Sequence, residues 1–160
     1  MGGGILPAAY HKGKIKFLFS REALYGDDDP GKWSDFGGGK EGKETPYHTA
    51  VREGWEESSG FLGSKKDIRT LIREHTLAKI VYSTYTTYIV EIPYDANLPR
   101  KFSTHFKKNK KLRPDVVYAK NGLFEKDKLM WLSLDKLREN IYRFRPFYKK
   151  IVRTIIKECI

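Results

Sequence analysis

Between Glu44 and Ser64 this lysine-rich chain carries a single Lys or Arg, Arg52, set among the glutamates Glu53, Glu56 and Glu57. Thr45-Pro46 opens the stretch as a helix: Thr caps a first turn, and Pro is tolerated where its missing N–H has no intrahelical partner. Gly60 suits a terminator, so the spacing predicts a helix over Pro46–Ser59. Tyr47, Val51 and Trp55, with Ala50 and Gly54 alongside, predict its core-facing stripe. Residues three and four apart share a helix face, which gathers the three carboxylates. Like charges at that spacing cost an isolated helix roughly 0.2–0.5 kcal/mol per pair, and no Lys or Arg four residues on offsets them. Oxygen donors suit hard cations, and magnesium commonly bridges a few carboxylates to substrate phosphates. On the residues alone, a cation site and a solvated acidic face are equal alternatives.

The rest of the chain reads as strands around that helix. Gly4–Tyr10 and Ile15–Phe19 are short apolar runs joined by a turn at His11–Lys14, a hairpin signal. Asp27–Gly31 is a loop. The β-branched and aromatic residues from Lys79 to Pro93 predict one long strand, with shorter ones at Val116–Tyr118 and Met130–Leu132. Pro146 starts a last helix, whose apolar stripe includes Phe147, Ile151 and Ile155. The sum is an α+β domain spanning residues 1–160.

Hydrophobic residues make up 39% of the sequence, enough for a core. No apolar run reaches the roughly 18–20 residues of a membrane span, and the short N-terminal run lacks the basic flank of a secretory signal. Cys159, the only cysteine, suits a reducing compartment; the expected setting is cytoplasmic, without a membrane partner. The formal charge of +11 favours polyanionic partners.

The stretch Gly38-Gly39-Lys40-Glu41-Gly42-Lys43-Glu44, then seven residues, then Arg52-Glu53-Gly54-Trp55-Glu56-Glu57, resembles the Nudix box. That pattern runs Gly, five residues, Glu, seven residues, Arg-Glu, an apolar residue, any residue, Glu-Glu, any residue, Gly, apolar. Two departures stand out: Gly54 replaces an aliphatic residue, which should loosen helix packing, and Glu57-Ser58-Ser59-Gly60-Phe61 is one residue longer than the usual ending. Gly3–Leu6 is similar to the family's first strand, Trp33–Gly39 to its approach to the box, and Leu129–Leu134 to its late tryptophan-bearing strand.

The resemblance implies an α/β/α sandwich with a mixed sheet and a loop–helix–loop metal site. It implies that Glu53, Glu56 and Glu57 hold magnesium, with manganese as a substitute, and that Glu44 supports the loop or the metal shell. Arg52 would orient the carboxylates, and Gly37, Gly38 and Gly39 would let backbone approach phosphates. The general base would be Glu56, Glu57 or a remote acid, for which Glu125 is the first candidate and Asp127 the second. Arg21, Lys107 and Lys108 are candidate substrate contacts. The implied activity is metal-assisted hydrolysis of a diphosphate linkage in a phosphorylated small molecule. A small nucleotide ranks first, an RNA 5′ end second and a diphosphoinositol polyphosphate third; a non-catalytic nucleotide-binding module is the alternative of a different class. The segment Arg100–Arg113 has seven Lys and Arg and no acid, interleaved with Phe102, His105 and Phe106. It reads as a loop that either meets phosphates or is simply solvated.

Overall fold

The N-terminal hairpin forms from β1 (Gly2–His11) and β2 (Lys14–Glu22), turned by Lys12 and Gly13 at φ 50° and 76°. Both turn residues in the left-handed region match the two-residue turn whose twist suits antiparallel strands. The structure, a computed structural model, describes residues 1–159. β1 runs parallel to β6 (Tyr85–Glu91) on one side; on the other its first half pairs with β4 (Phe36–Gly39) and its second half with β2. β2 in turn carries β3 (Trp33–Ser34) and β7 (Lys126–Ser133), while β5 (Thr76–Tyr82) pairs β6. The sheet is therefore mixed, as expected.

Side chains on alternate faces of a strand divide the core in two. Leu6, Ala8, Phe17 and Phe19 pack against Tyr148, Ile151, Val152 and Ile155 of α5 (Pro146–Glu158). Ile5 and Leu18, one residue out of phase, face α1 (Pro46–Glu57), α2 (Lys65–His75) and α3 (Leu98–Leu112) through Ala50, Ile68 and Phe102. Helices thus cover both faces of the sheet.

Four expectations change. The single strand over Lys79–Pro93 is two strands: β5 and β6 fold back through Ser83 and Thr84, with Ser83 at φ 53°. No Gly or Asn marks that turn, so composition conceals it. Arg100–Arg113 is no loop, because Leu98, Phe102 and Phe106, four apart, seat α3 on β7. Val116–Tyr118 is no strand, since Pro114 opens the single turn α4 (Pro114–Val117) there. In α1, Trp55 points to solvent at 37% exposure with Lys65 over its ring. The buried stripe is Thr49, Ala50, Val51, Glu53, Gly54 and Glu57. Helix α2 had a legible signal that the sequence reading passed over. Ser64 and Asp67 form a reciprocal capping box, followed by buried Ile68 and Ile72.

Gly54 does not loosen α1. A Cβ there would stand 3.1 Å from Ile5 Cδ1, so the glycine lets the helix lie close on β1.

Candidate active site

Pairing of β4 with β1 puts Gly37–Gly39 beside the buried face of α1. The helix start is fixed by Thr45, whose hydroxyl accepts from the His48 N–H, with Pro46 in the first turn. This junction forms one wall of a cleft of about 600 Å³ containing Glu53 and Glu57. The facing wall brings Tyr25, Tyr118, Phe124 and Glu125, and Glu22, Arg145 and Phe147 also line the cleft.

Arg52 organises the acidic wall. Its Nε and Nη2 donate to the Glu44 carboxylate at 2.7 and 3.0 Å, and Nη2 also reaches Gly39 O. Its Nη1 donates to Glu53 at 2.9 Å and Glu56 at 3.2 Å. Glu44 also accepts from the Thr49 hydroxyl and the Glu41 N–H. The Arg52 guanidinium chiefly, with those donors, holds the Glu44 pKa down to about 2. Arg52 itself stays protonated through Glu44.

The other carboxylates shift the opposite way. Burial pushes Glu53 up to about 7 even against Arg52, and raises Glu56. Glu57 is buried and raised well above its ordinary value by desolvation, with Glu53 and Glu22 adding repulsion. It accepts from the Gly37 N–H at 2.8 Å and lies 3.8 Å from Lys126 Nζ. The glycines serve this wall: a Cβ on Gly38 would stand 2.5 Å from the Glu53 carboxylate, and one on Gly37 would meet the Tyr85 hydroxyl.

Beneath the cleft lies a charged layer that sequence reasoning missed. Lys126 Nζ, wholly buried, donates to Glu22 at 2.8 Å and to Ser34 at 3.0 Å. Burial pulls its pKa down, but Glu57 and Glu22 outweigh that and keep it protonated. Arg145 donates to the same Glu22 oxygen at 2.9 Å and to Asp28 and Asp29. Asp35, also buried, accepts from the Tyr85 hydroxyl at 2.8 Å and the Thr87 hydroxyl at 2.9 Å. Burial raises it to about 6. Nothing in the local sequence marks these groups, because their partners lie between 50 and 123 residues away.

The remaining expected residues divide. Glu125 lines the cleft, its pKa raised by desolvation and by Glu22. Asp127 instead makes a two-pronged bond with Arg21, at 2.8 and 2.9 Å. That pair corrects the reading of Arg21 as a substrate contact: its guanidinium is committed, and it borders another groove. Lys107 and Lys108 project from α3 and do not line the cleft.

Glu53, Glu56, Glu57 and Glu125 offer hard oxygen donors of the kind a divalent cation takes, and burial raises the proton affinity of all four. Among the described residues, however, no three His, Cys, Asp or Glu side chains converge tightly enough to hold an ion as they stand. Arg52 Nη1 bridges Glu53 and Glu56 in that arrangement.

This mixed sheet with helices on both faces is the fold of solved Nudix structures. Solved structures of that class superpose over nearly the whole chain. A C. elegans Ap4A hydrolase matches with a TM-score of 0.57 at 13% identity, over 98% of this chain and 94% of its own. The Nudix domain of Shewanella oneidensis NrtR, solved with ADP ribose, matches at 0.56 and 10% identity, over 99% and 87%. The MutT protein of Methanosarcina mazei matches at 0.52 and 15%, over 98% and 96%. No sequence-family model matches the chain, and no curated protein matches it in sequence.

Proposed function

We propose that this chain is a Nudix pyrophosphohydrolase, an enzyme that cleaves a diphosphate linkage in a nucleotide-type substrate with a divalent cation, magnesium or manganese. One observation carries the reading: every box glutamate is present on one helix, with Glu53 and Glu57 lining the cleft and Arg52 bridging Glu53 to Glu56. A non-catalytic binding module gives no reason to keep them.

Glu53, Glu56 and Glu57 would hold the cation, which when bound neutralises phosphate oxygens and makes a nearby water more acidic. The chain's own residues set the geometry. Glu44 supports Arg52 rather than offering free oxygens, since both its oxygens accept hydrogen bonds. Arg52 fixes the orientation of Glu53 and Glu56. Lys126 and the Gly37 N–H hold Glu57 from beneath. Glu125, which lines the cleft and whose proton affinity burial raises, would take a proton from the attacking water. Tyr118, Phe124 and Phe147 offer ring faces to a base or sugar.

The test is a phosphate-release screen with magnesium or manganese over nucleoside triphosphates, dinucleoside polyphosphates, ADP-ribose, capped RNA and inositol pyrophosphates. Metal-dependent turnover of one class, lowered about 10³-fold or more by Glu56→Gln with the fold intact, is expected. Absence of turnover on every class by a folded, metal-binding protein would sink the enzyme reading.

A further inference from the structure

Away from the cleft, the free edge of β7 borders a second groove of about 420 Å³. Trp131 and Tyr94 stand together there, ring centroids 5.1 Å apart, with Arg21, Lys128 and Arg143 around them. The carboxylates nearby are committed: Asp127 to Arg21, and Asp95 to Lys101. Pro99, in the first turn of α3, forms part of the rim.

From that rim α3 runs 15 residues without an acid, about 22 Å at the helical rise. Arg100, Lys107 and Lys111 recur at helical spacing on its exposed face, with Lys108 beside them, and none has an ion-pair partner among the described residues. Farther along, Phe106 packs on Tyr25 and His105 stacks on Phe124, both of which line the cleft. One helix therefore connects the aromatic groove to the facing wall of the cleft.

We infer that α3 and the β7-edge groove form a binding track for single-stranded nucleic acid, distinct from the cleft. Free cations in a row suit a sugar-phosphate backbone, and rings beside them suit unpaired bases, whose stacking tolerates any sequence. Tyr94 already stacks on His11, with Lys16 over its ring, so Trp131 is the groove ring left for a base; an acidic polypeptide would satisfy the lysines but make no use of it. That a strand on the track leads its end into the cleft rests on the enzyme reading; the binding itself does not.

The test is fluorescence anisotropy with a labelled 12-nucleotide single strand, RNA in one arm and DNA in the other. Chelator is present throughout, so binding is read whether or not the cleft hydrolyses anything. Lys107→Glu/Lys111→Glu is compared with Lys66→Glu/Arg69→Glu, a pair on α2 that changes net charge equally. The α3 pair is expected to weaken binding at least tenfold and to lower the slope of log affinity against log salt by about 1.4. Duplex competitor should displace the strand poorly. RNA and DNA binding alike support a single-strand track, and a preference for RNA assigns it to the 2′-hydroxyl. Equal loss in both pairs would show attraction by net charge alone and overturn the track. So would equal binding of a trinucleotide, or equal displacement by polyglutamate.

Discussion

The two walls of the cleft are built on different principles. The acidic wall stands on α1 and β4, where Gly37 bonds Glu57 and Arg52 makes contacts to Glu44, Glu53, Glu56 and Gly39. The facing wall is the α4–β7 connection, in which Lys120, Gly122 and Phe124 all have positive φ, between 51° and 89°. It is tied down by the Tyr25 hydroxyl donating to Phe124 O and by an exposed Lys120–Asp27 pair. On the proposed reading, the carboxylates that would hold the cation sit on a regular element with interlocking polar bonds. The wall that carries Glu125, and that would meet the variable part of a substrate, is a loop with few anchors.

The largest test of this contrast is Arg52→Ala. It would leave Glu44, Glu53 and Glu56 without their shared cation in a mostly buried setting. Removing one partner of such a network costs about 3–4 kcal/mol, read as a lower midpoint in urea at pH 7.5, and turnover should fall about 100-fold or more. Arg52→Lys should recover part of the stability and little of the activity, since an ammonium cannot make the forked contacts. Unchanged stability in Arg52→Ala would mean the acidic wall is held by the helix alone.

A second test separates the wall from the strands that carry it. Asp35 titrates near 6 when folded against 3.8 as a free group, because burial outweighs the Tyr85 and Thr87 hydrogen bonds. A folded pKa above the unfolded one means that the native state binds the proton more tightly. The stabilisation is present below about pH 4 and is lost as pH rises through about 6. The shift corresponds to ~3 kcal/mol at most over the whole span. Wild type minus Asp35→Asn, followed by chemical denaturation from pH 4 to 7.5, should show that decline, because the amide does not titrate. A flat difference would mean that Asp35 keeps an ordinary pKa. Glu53 and Glu57 are common to both proteins and cancel.

The same contrast explains what could be seen in the sequence. The acidic wall was legible because its residues are local: the cap, Arg52 and three glutamates fall on one helix at fixed spacing. The hairpin β1–β2, the late strand and α5 were legible for the same reason, their apolar periods being unbroken. The layer beneath was not. Lys126, Glu22, Arg145 and Asp35 meet only after β7, β2, β3 and α5 have folded together, and each alone reads as an ordinary surface charge. The β5–β6 turn was hidden because Ser83-Thr84 carries no Gly or Asn, and α3 because its six Lys and Arg break up the stripe of Leu98, Phe102 and Phe106. Arg21 was misjudged through its partner, for Asp127 is 106 residues away.

The smallest predicted effect lies on the loop wall. Lys120 and Asp27 meet at 2.7 Å, but both are largely open to water, with side chains about four-fifths exposed, and such pairs contribute little to folding. Both residues line the cleft, so Lys120 is able to exchange Asp27 for a substrate phosphate at small cost. Lys120→Ala should therefore leave the melting temperature and kcat unchanged while raising KM about 3- to 10-fold, the loss expected of one solvated contact to phosphate. The KM difference from wild type should shrink as salt is raised, because that contact is screened. A fall in melting temperature with KM unchanged would reverse the assignment: the pair would then hold the loop, and the facing wall would be as fixed in its construction as the acidic one.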